Sequence, residues 1–254
     1  MVSIQILAVN KQRVFLTLNN IVVATWNING IQARLQFLLT WLRQRTPDIV
    51  LLQELKIDKD RFPYGKLEEA GYQAQVHGQK SWNGVAILSR NTTINNIRTV
   101  IRGLPGVEEQ GSRLISAEIE IPGIGTVTCV SVYVPNGRDI DHDEFKRKIQ
   151  FLNKLEMFLK RTMSVSESLI IGGDFNLCPS PIDTWHDKVW DGKIFHTSTE
   201  RKCFAQLLNL GLFDLFRNFH PDEKEFSWWD YRAGNFHKNF GLRIDFLLAN
   251  DKVT

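Results

Sequence analysis

Three runs in this chain are apolar almost without a break: DIVLLQ at 48–53, GVAILS at 84–89 and SLIIGG at 168–173. A strand with one wet face alternates apolar and polar side chains, so an unbroken run implies a strand covered on both faces. Further strand patterns lie at 21–26 (IVVATW), 114–121 (LISAEIEI), 126–134 (TVTCVSVYV) and 242–248 (LRIDFLL). Between them the period changes to that of a helix. Ile31, Leu35, Leu38 and Leu42 share one helical face. Phe145, Ile149, Leu152, Leu155 and Leu159 share another, on a long helix whose other faces carry Lys146, Arg147 and Lys148. Thr197 with Glu200 forms a capping box that opens a third helix, which Gly211 can close. Doubly covered strands with helices to cover them predict an α/β fold of two packed sheets flanked by helices. No Pro/Gly-rich linker, repeat or low-complexity stretch interrupts the pattern, so residues 21–254 read as one domain after an N-terminal extension over 1–20.

With 254 residues, 43% of them hydrophobic, the chain can bury a large core. A net charge of only +3 permits a nucleic-acid partner without requiring one. Cys129, Cys178 and Cys203 form no CxxC pair and leave an odd thiol, which points to a reducing, cytoplasmic setting. No apolar run reaches the roughly 18 residues that a membrane span needs. The start, MVSIQILAVNKQRVFLTLNN, is acid-poor like some transit peptides, but its two basic residues are few, and it reads as an extra strand or leader.

Polar residues recur where these strands end. ATWNING places Asn27 and Asn29 after Trp26, and VLLQELK puts Glu54 and then Lys56 after an apolar run. Tyr133 in VSVYVPNGR points away from Val132 and Val134 by strand alternation. IIGGDFN contributes Asp174 and Asn176, and GLRIDFLL embeds Asp245 between Ile244 and Phe246. Singly, each has an ordinary explanation: Asn is a turn former, and Glu54 reads as a solvated acid. Asp245 is harder to dismiss, because a buried carboxylate without a partner costs about 3–5 kcal/mol. Together they offer hard oxygen donors with almost no thiol or imidazole, a set that suits Mg²⁺ better than Zn²⁺. Such a set serves phosphate chemistry. One carboxylate holds the cation, another activates water, and amides with a tyrosine hydroxyl donate to the phosphate oxygens.

The segments TWNING, LQELK, HGQKSWNGVAILSR, YVPNG, GGDFN, FSWWDYR and GLRIDFLLA occur here in order, from about residue 21 to the end. That series resembles the exodeoxyribonuclease III and abasic-site endonuclease group of the endonuclease/exonuclease/phosphatase superfamily. The resemblance implies a four-layered α/β sandwich. It also implies a Mg²⁺-dependent enzyme, with Mn²⁺ as a substitute, that cuts double-stranded DNA at abasic sites and clears blocked 3′ ends, acting as a monomer. Glu54 would then be the main metal ligand, with Asn29 near the metal. Asn27 and Asn176 would hold the scissile phosphate, Asp174 would activate water, and Tyr133 would bond the phosphate or assist the leaving group. Asp245 matches the acid that orients a catalytic histidine.

Two departures accompany the resemblance. Relatives carry either Asp or Asn at the position of Asn29, which leaves the second metal ligand open. The resemblance also implies a Ser-Asp-His segment on a further strand, and this sequence stops at LLANDKVT before it. None of the six histidines stands in that motif, and apart from His77 they read as surface residues. A C-terminal strand is therefore expected to be missing, and the alternative reading is a catalytically impaired, DNA-binding relative. A phosphoinositide or other phosphodiester substrate is a third reading, which FSWWDYR and HGQKSWNG argue against. Trp228 and Trp229 could both be core residues, and one of the two is expected to be; by resemblance their loop would wall the pocket for an extruded abasic sugar, where flipping costs least. Lys56, Lys80, Arg90, Arg138 and the 146–148 cluster would grip the DNA backbone, although that cluster reads more readily as a solvated helix face.

Overall fold

The unbroken apolar runs become the inner strands of two mixed sheets packed face to face in the computed structural model, which describes residues 14–18, 21–94 and 96–253. The first sheet has the spatial order β1 (Val14–Leu18), β2 (Ile21–Asn27), β3 (Ile49–Gln53), β5 (Val85–Arg90), β4 (Tyr72–His77). The second runs β10 (Leu212–Asp214), β13 (Asp245–Asn250), β9 (Ser168–Asp174), β8 (Gly125–Tyr133), β7 (Leu114–Ile121), β6 (Ile97–Arg102). β2 with β3 and β8 with β9 are parallel, and the other pairs are antiparallel. A two-stranded ribbon, β11 (Trp228–Trp229) with β12 (Gly241–Leu242), stands apart.

Three apolar layers hold this together. Val23, Leu51 and Ile87 of the first sheet meet Ile119, Cys129, Ile170 and Leu247 of the second. α1 (Ile31–Arg45) and α2 (Tyr64–Glu69) cover the outer face of the first sheet through Leu38, Trp41, Leu42 and Leu67. α3 (Asp143–Met163) and α5 (Ser198–Leu208) cover the second through Phe151, Leu155, Phe204 and Leu207. The result is the four-layered α/β sandwich. One-turn α4 (Asp187–Trp190) and short α6 (Leu215–Phe219) complete the helices among the described residues. As expected, Thr197 and Glu200 cap α5 reciprocally.

The expected N-terminal extension over 1–20 falls mostly outside the described residues. Its described part, β1, pairs antiparallel with β2 and covers that strand's outer edge, so the extra-strand reading holds there. The pattern at 242–248 is not one strand. Leu242 pairs with Trp228, Arg243 is drawn aside to bond Asp183, and the sheet strand begins only at Asp245.

Gly172 and Gly173 are required by close approach. A Cβ on Gly172 would lie 2.6 Å from Leu247 Cδ2 and 2.7 Å from Leu51 Cδ1, between the sheets. A Cβ on Gly173 would collide with the Val132 carbonyl of the neighbouring strand. Gly172 lets the sheets pack closely, and Gly173 lets β8 and β9 lie close within their sheet, just before Asp174.

Candidate active site

β8, β9 and β13 end together, and their register places Tyr133 and Asp245 on either side of Asp174. On the first sheet Asn27 pairs in register with Gln53, and Glu54 follows it. Beneath this rim a buried polar link joins the sheets: Gln53 Nε2 donates to Ser131 Oγ at 3.0 Å, and Ser131 Oγ donates to the Leu52 carbonyl at 3.0 Å. Above it, the Asn27 amide donates to Glu54 Oε1 and to Asp174 Oδ2, both at 2.8 Å. One amide nitrogen thus ties the carboxylates of two sheets together.

The surrounding loops are bent sharply. Asn29, Glu54, Lys56 and Asn176 have φ of 48°, 52°, 55° and 50°, in the left-handed region that costs a non-glycine residue energy. Local bonds offset that cost. The Asn29 N–H donates to Asn27 Oδ1 (3.0 Å), and the Asn176 N–H donates to Asp174 Oδ1 (2.9 Å). Lys56 Nζ reaches Asn29 Oδ1 at 2.5 Å and Glu54 Oε2 at 2.8 Å. The Asn176 amide donates to the Val134 carbonyl at 3.0 Å. The Ser227 hydroxyl accepts from the Ile244 and Asp245 N–H groups at 3.1 and 3.0 Å.

The three acids differ in protonation. Burial pushes the Asp174 carboxyl up to about 7, the nearby Glu54 charge adds to this, and bonds from Asn27 and Asn176 hold it back. Burial, reinforced by the Asp174 charge, holds Asp245 well above the usual carboxylate range. Glu54 goes the other way. Burial raises it, but bonds from Asn27, Lys56 and Tyr133 and the Lys56 charge overcome that and leave it ionised. Burial and the Glu54 and Asp174 charges keep the Tyr133 hydroxyl protonated, and the Arg113 guanidinium lies 4.8 Å from its ring centre. The rim therefore holds an ionised carboxylate, a carboxyl poised to exchange a proton near neutrality, and a hydroxyl that keeps its proton and can donate it in a hydrogen bond.

This donor set suits a hard divalent cation. Asp245 Oδ1 is buried without a hydrogen-bond partner among the described residues, and Glu54 and Asn29 already share the ammonium of Lys56. No three acidic, imidazole or thiol groups converge tightly enough among the described residues to cage an ion.

Of the expected site residues, Asn27, Asn29, Glu54, Tyr133, Asp174, Asn176, Trp228 and Asp245 line one cleft. Lys56 stands beside it, on Glu54 and Asn29, and exposed Arg138 lies two residues past the cleft-lining Asn136. Three expectations are corrected. Trp229 is buried in its own loop, against Phe226 and Phe236, because adjacent residues of a strand face opposite ways. Arg90 sits at the far end of β3 from Glu54, paired with buried Asp48. His196 is buried beside Arg201 and Trp190, not on the surface. In the 146–148 cluster, Lys146 and Arg147 lie on the solvated face of α3, as the solvated-face reading expects, and pair with Asp143 and Glu144, while Lys148 is wholly buried.

Sequence reasoning missed Arg34, Asn136, Phe195, Ser227 and Tyr231 as cleft residues. Asn136 stands in YVPNG, and Ser227 and Tyr231 stand in FSWWDYR, segments already singled out; Arg34 and Phe195 carry no local signal, since elements distant in sequence bring them in.

Residues 24–254 match the model of the endonuclease/exonuclease/phosphatase family. Exodeoxyribonuclease III of Haemophilus influenzae is 34% identical over 90% of this chain and 87% of that protein. Among solved structures, the 3′–5′ exonuclease NExo of Neisseria meningitidis superposes with a TM-score of 0.83 at 38% identity, over 90% of this chain and 86% of that one. An AP endonuclease from Archaeoglobus fulgidus superposes with a TM-score of 0.81 at 32% identity, over the same shares.

Proposed function

The chain belongs to the endonuclease/exonuclease/phosphatase family and is a nuclease, and from that premise we propose a metal-dependent DNA-repair phosphodiesterase that incises duplex DNA at abasic sites and trims blocked 3′ ends. The observation that carries this reading is the Asn27 amide bonded at 2.8 Å to both Glu54 and Asp174. It joins an ionised carboxylate to one held near neutrality, in a cleft that also presents Tyr133 and Asn176.

Glu54, with Asn29 beside it, would hold Mg²⁺ or, in its place, Mn²⁺. Such an ion, when bound, polarises the phosphoryl oxygens and offsets their charge. Asp174 takes the proton of the attacking water, for which a pKa of about 7 is well matched. The new P–O bond forms as the P–O3′ bond opposite it breaks, and the departing oxygen leaves as a 3′-hydroxyl after protonation by solvent. Asn27 fixes both carboxylates, and the amide of Asn176 and the hydroxyl of Tyr133 donate where charge builds on the phosphate. Trp228, Phe195 and Ile244 supply an apolar wall to the same cleft, suited to a sugar without its base. Asp245 Oδ1, buried without a partner among the described residues, favours a second reading in which the chain binds DNA and does not turn over.

The deciding experiment is cleavage of a duplex carrying one abasic-site analogue, with Mg²⁺ and with EDTA. Incision that needs Mg²⁺ and is lost in Asp174→Ala, with DNA affinity within about threefold, is the expected result. Glu54→Ala should raise the Mg²⁺ concentration needed by at least about tenfold. Binding without incision would replace this reading with the second.

A further inference from the structure

Lys148 is 0% exposed, in the middle of the apolar face of α3 beside Phe151 and Leu152, and its environment is built with care. Its ammonium is bonded to Glu200 Oε1, to the Asn176 carbonyl at 2.5 Å and to the Asn136 carbonyl at 3.2 Å. An ammonium has three protons, and here each has its own acceptor on a different segment. Glu200, also 0% exposed, passes the link on: Oε1 accepts from the Phe195 N–H at 3.1 Å, and Oε2 accepts from the Thr197 N–H at 3.0 Å. The Phe195 ring closes over the ammonium, 4.9 Å from Nζ to ring centre, and Phe195 holds a φ of 73°. The Lys148 stem fills the space under Gly137, where a Cβ would come within 3.1 Å of Lys148 Cδ.

The three segments joined here each contribute a wall of the cleft: Asn136, Asn176 and Phe195 all line it. Asn176 is held from both sides. Its carbonyl is drawn down to Lys148, its N–H is fixed on Asp174 Oδ1 at 2.9 Å, and its side chain receives the Asn136 amide at 3.3 Å. From these contacts we infer that Lys148 is a positioning residue of this site, an ammonium fixed by Glu200 that sets from below the orientation of the loops carrying Asn136 and Asn176. A buried ion pair is weak evidence for stability, since an apolar pair of similar volume often serves as well. Its use here is directional: no apolar side chain can hold two carbonyls and the capping-box carboxylate at fixed angles.

For its kinetic arm the inference rests on the nuclease reading of the same site; its structural arm does not. The test is the double variant Lys148→Met/Glu200→Gln, which removes both charges and keeps the volume, together with Lys148→Arg, which keeps a cation opposite Glu200 should the double variant not fold. Amide hydrogen exchange of the free protein should quicken at 134–138, 175–178 and 195–197, with β2, β3 and β7 unchanged. On the abasic duplex kcat should fall by about 10- to 100-fold, the cost of displacing a reacting group by about an ångström, while KM stays within about threefold. Unchanged exchange at the three segments would overturn the inference. So would faster exchange spread over the whole chain, or kcat and KM worsening together with thermal stability. If the wild-type chain cleaves nothing, the nuclease reading falls, and the exchange arm alone judges Lys148.

Discussion

Asp174 and Asp245 stand opposite each other across β9 and β13, and burial holds both carboxyls above their ordinary range, helped at Asp174 by the Glu54 charge and at Asp245 by the Asp174 charge. A carboxyl whose folded pKa is raised favours the fold while it stays protonated. Above an ordinary value of about 3.9, the unfolded chain ionises while the folded chain keeps its proton, so stability falls as pH rises. For Asp174 the loss continues until the folded group itself titrates, at about 7. The pair therefore costs the metal-free protein stability at neutral pH, a common trade at sites selected for chemistry. Asp245→Asn should raise the melting temperature in EDTA at pH 8, each kcal/mol regained being worth about 2–4 °C in a domain of this size, and the gain should vanish near pH 4. Added Mg²⁺ should stabilise the wild type more than the variant. A variant that melts lower at pH 8 would show that Asp245 is a structural acid.

The two adjacent tryptophans separate at the same scale. Trp228 lines the cleft with Phe195 and Ile244, whereas Trp229 is 3% exposed and donates its Nε1–H to Asn239 Oδ1 at 3.3 Å. Trp228→Ala should cut the preference for abasic over intact duplex by about tenfold, in line with the 1–3 kcal/mol of an aromatic stacking contact, with little change in melting temperature. Trp229→Ala should do the reverse, losing about 3–5 kcal/mol of stability while the enzyme that remains folded keeps its preference. Competition binding with the two duplexes, run beside thermal melts, distinguishes them.

At the scale of elements, Gly172 leaves no room for a Cβ against Leu51 of the first sheet, and Gly173 none beside the Val132 carbonyl. Gly173→Ala should force β8 and β9 apart and cost about 3 kcal/mol or more, beyond the usual penalty for overpacking; a melt within 2–4 °C of wild type, about 1 kcal/mol, would mean that the strands yield easily. Strands with unbroken apolar runs were legible in the sequence because covering both faces leaves a local trace. β4 and β6 were not, since YQAQVH and IRTVIR are edge strands whose polar residues blur the alternation, and β6 carries a bulge between Arg98 and Ile101. The cleft was legible where a polar residue interrupts an apolar run, as at Glu54, Asp174 and Asp245. Lys148 escaped because a lysine among charged neighbours reads as solvated, although its spacing to Leu152, Leu155 and Leu159 is that of the buried face. Its partner Glu200 was read as a cap, which it is, but one carboxylate serves both the cap and the ammonium.

At the scale of the whole molecule, a net charge of +3 is too small to draw DNA by itself, so attraction must come from where the basic residues stand. Exposed Arg138 projects beside the cleft, on the loop whose Asn136 lines it. Arg90 is bonded to Asp48, which lies about 17 Å from Gln53, beside Glu54, by the five strand rises between them. The two arginines carry equal charge, so a partner attracted by total charge would feel the loss of either alike. A duplex laid along the cleft would not. Arg138→Ala should weaken binding of abasic and intact duplex by the same factor and flatten the plot of log affinity against log salt by about one, the share of a single phosphate contact. Arg90→Ala should leave that slope unchanged and lower thermal stability instead, because it strands a buried carboxylate. Equal changes of slope in both variants would mean that the bound DNA does not run along the strand-end face that carries Glu54 and Asp174.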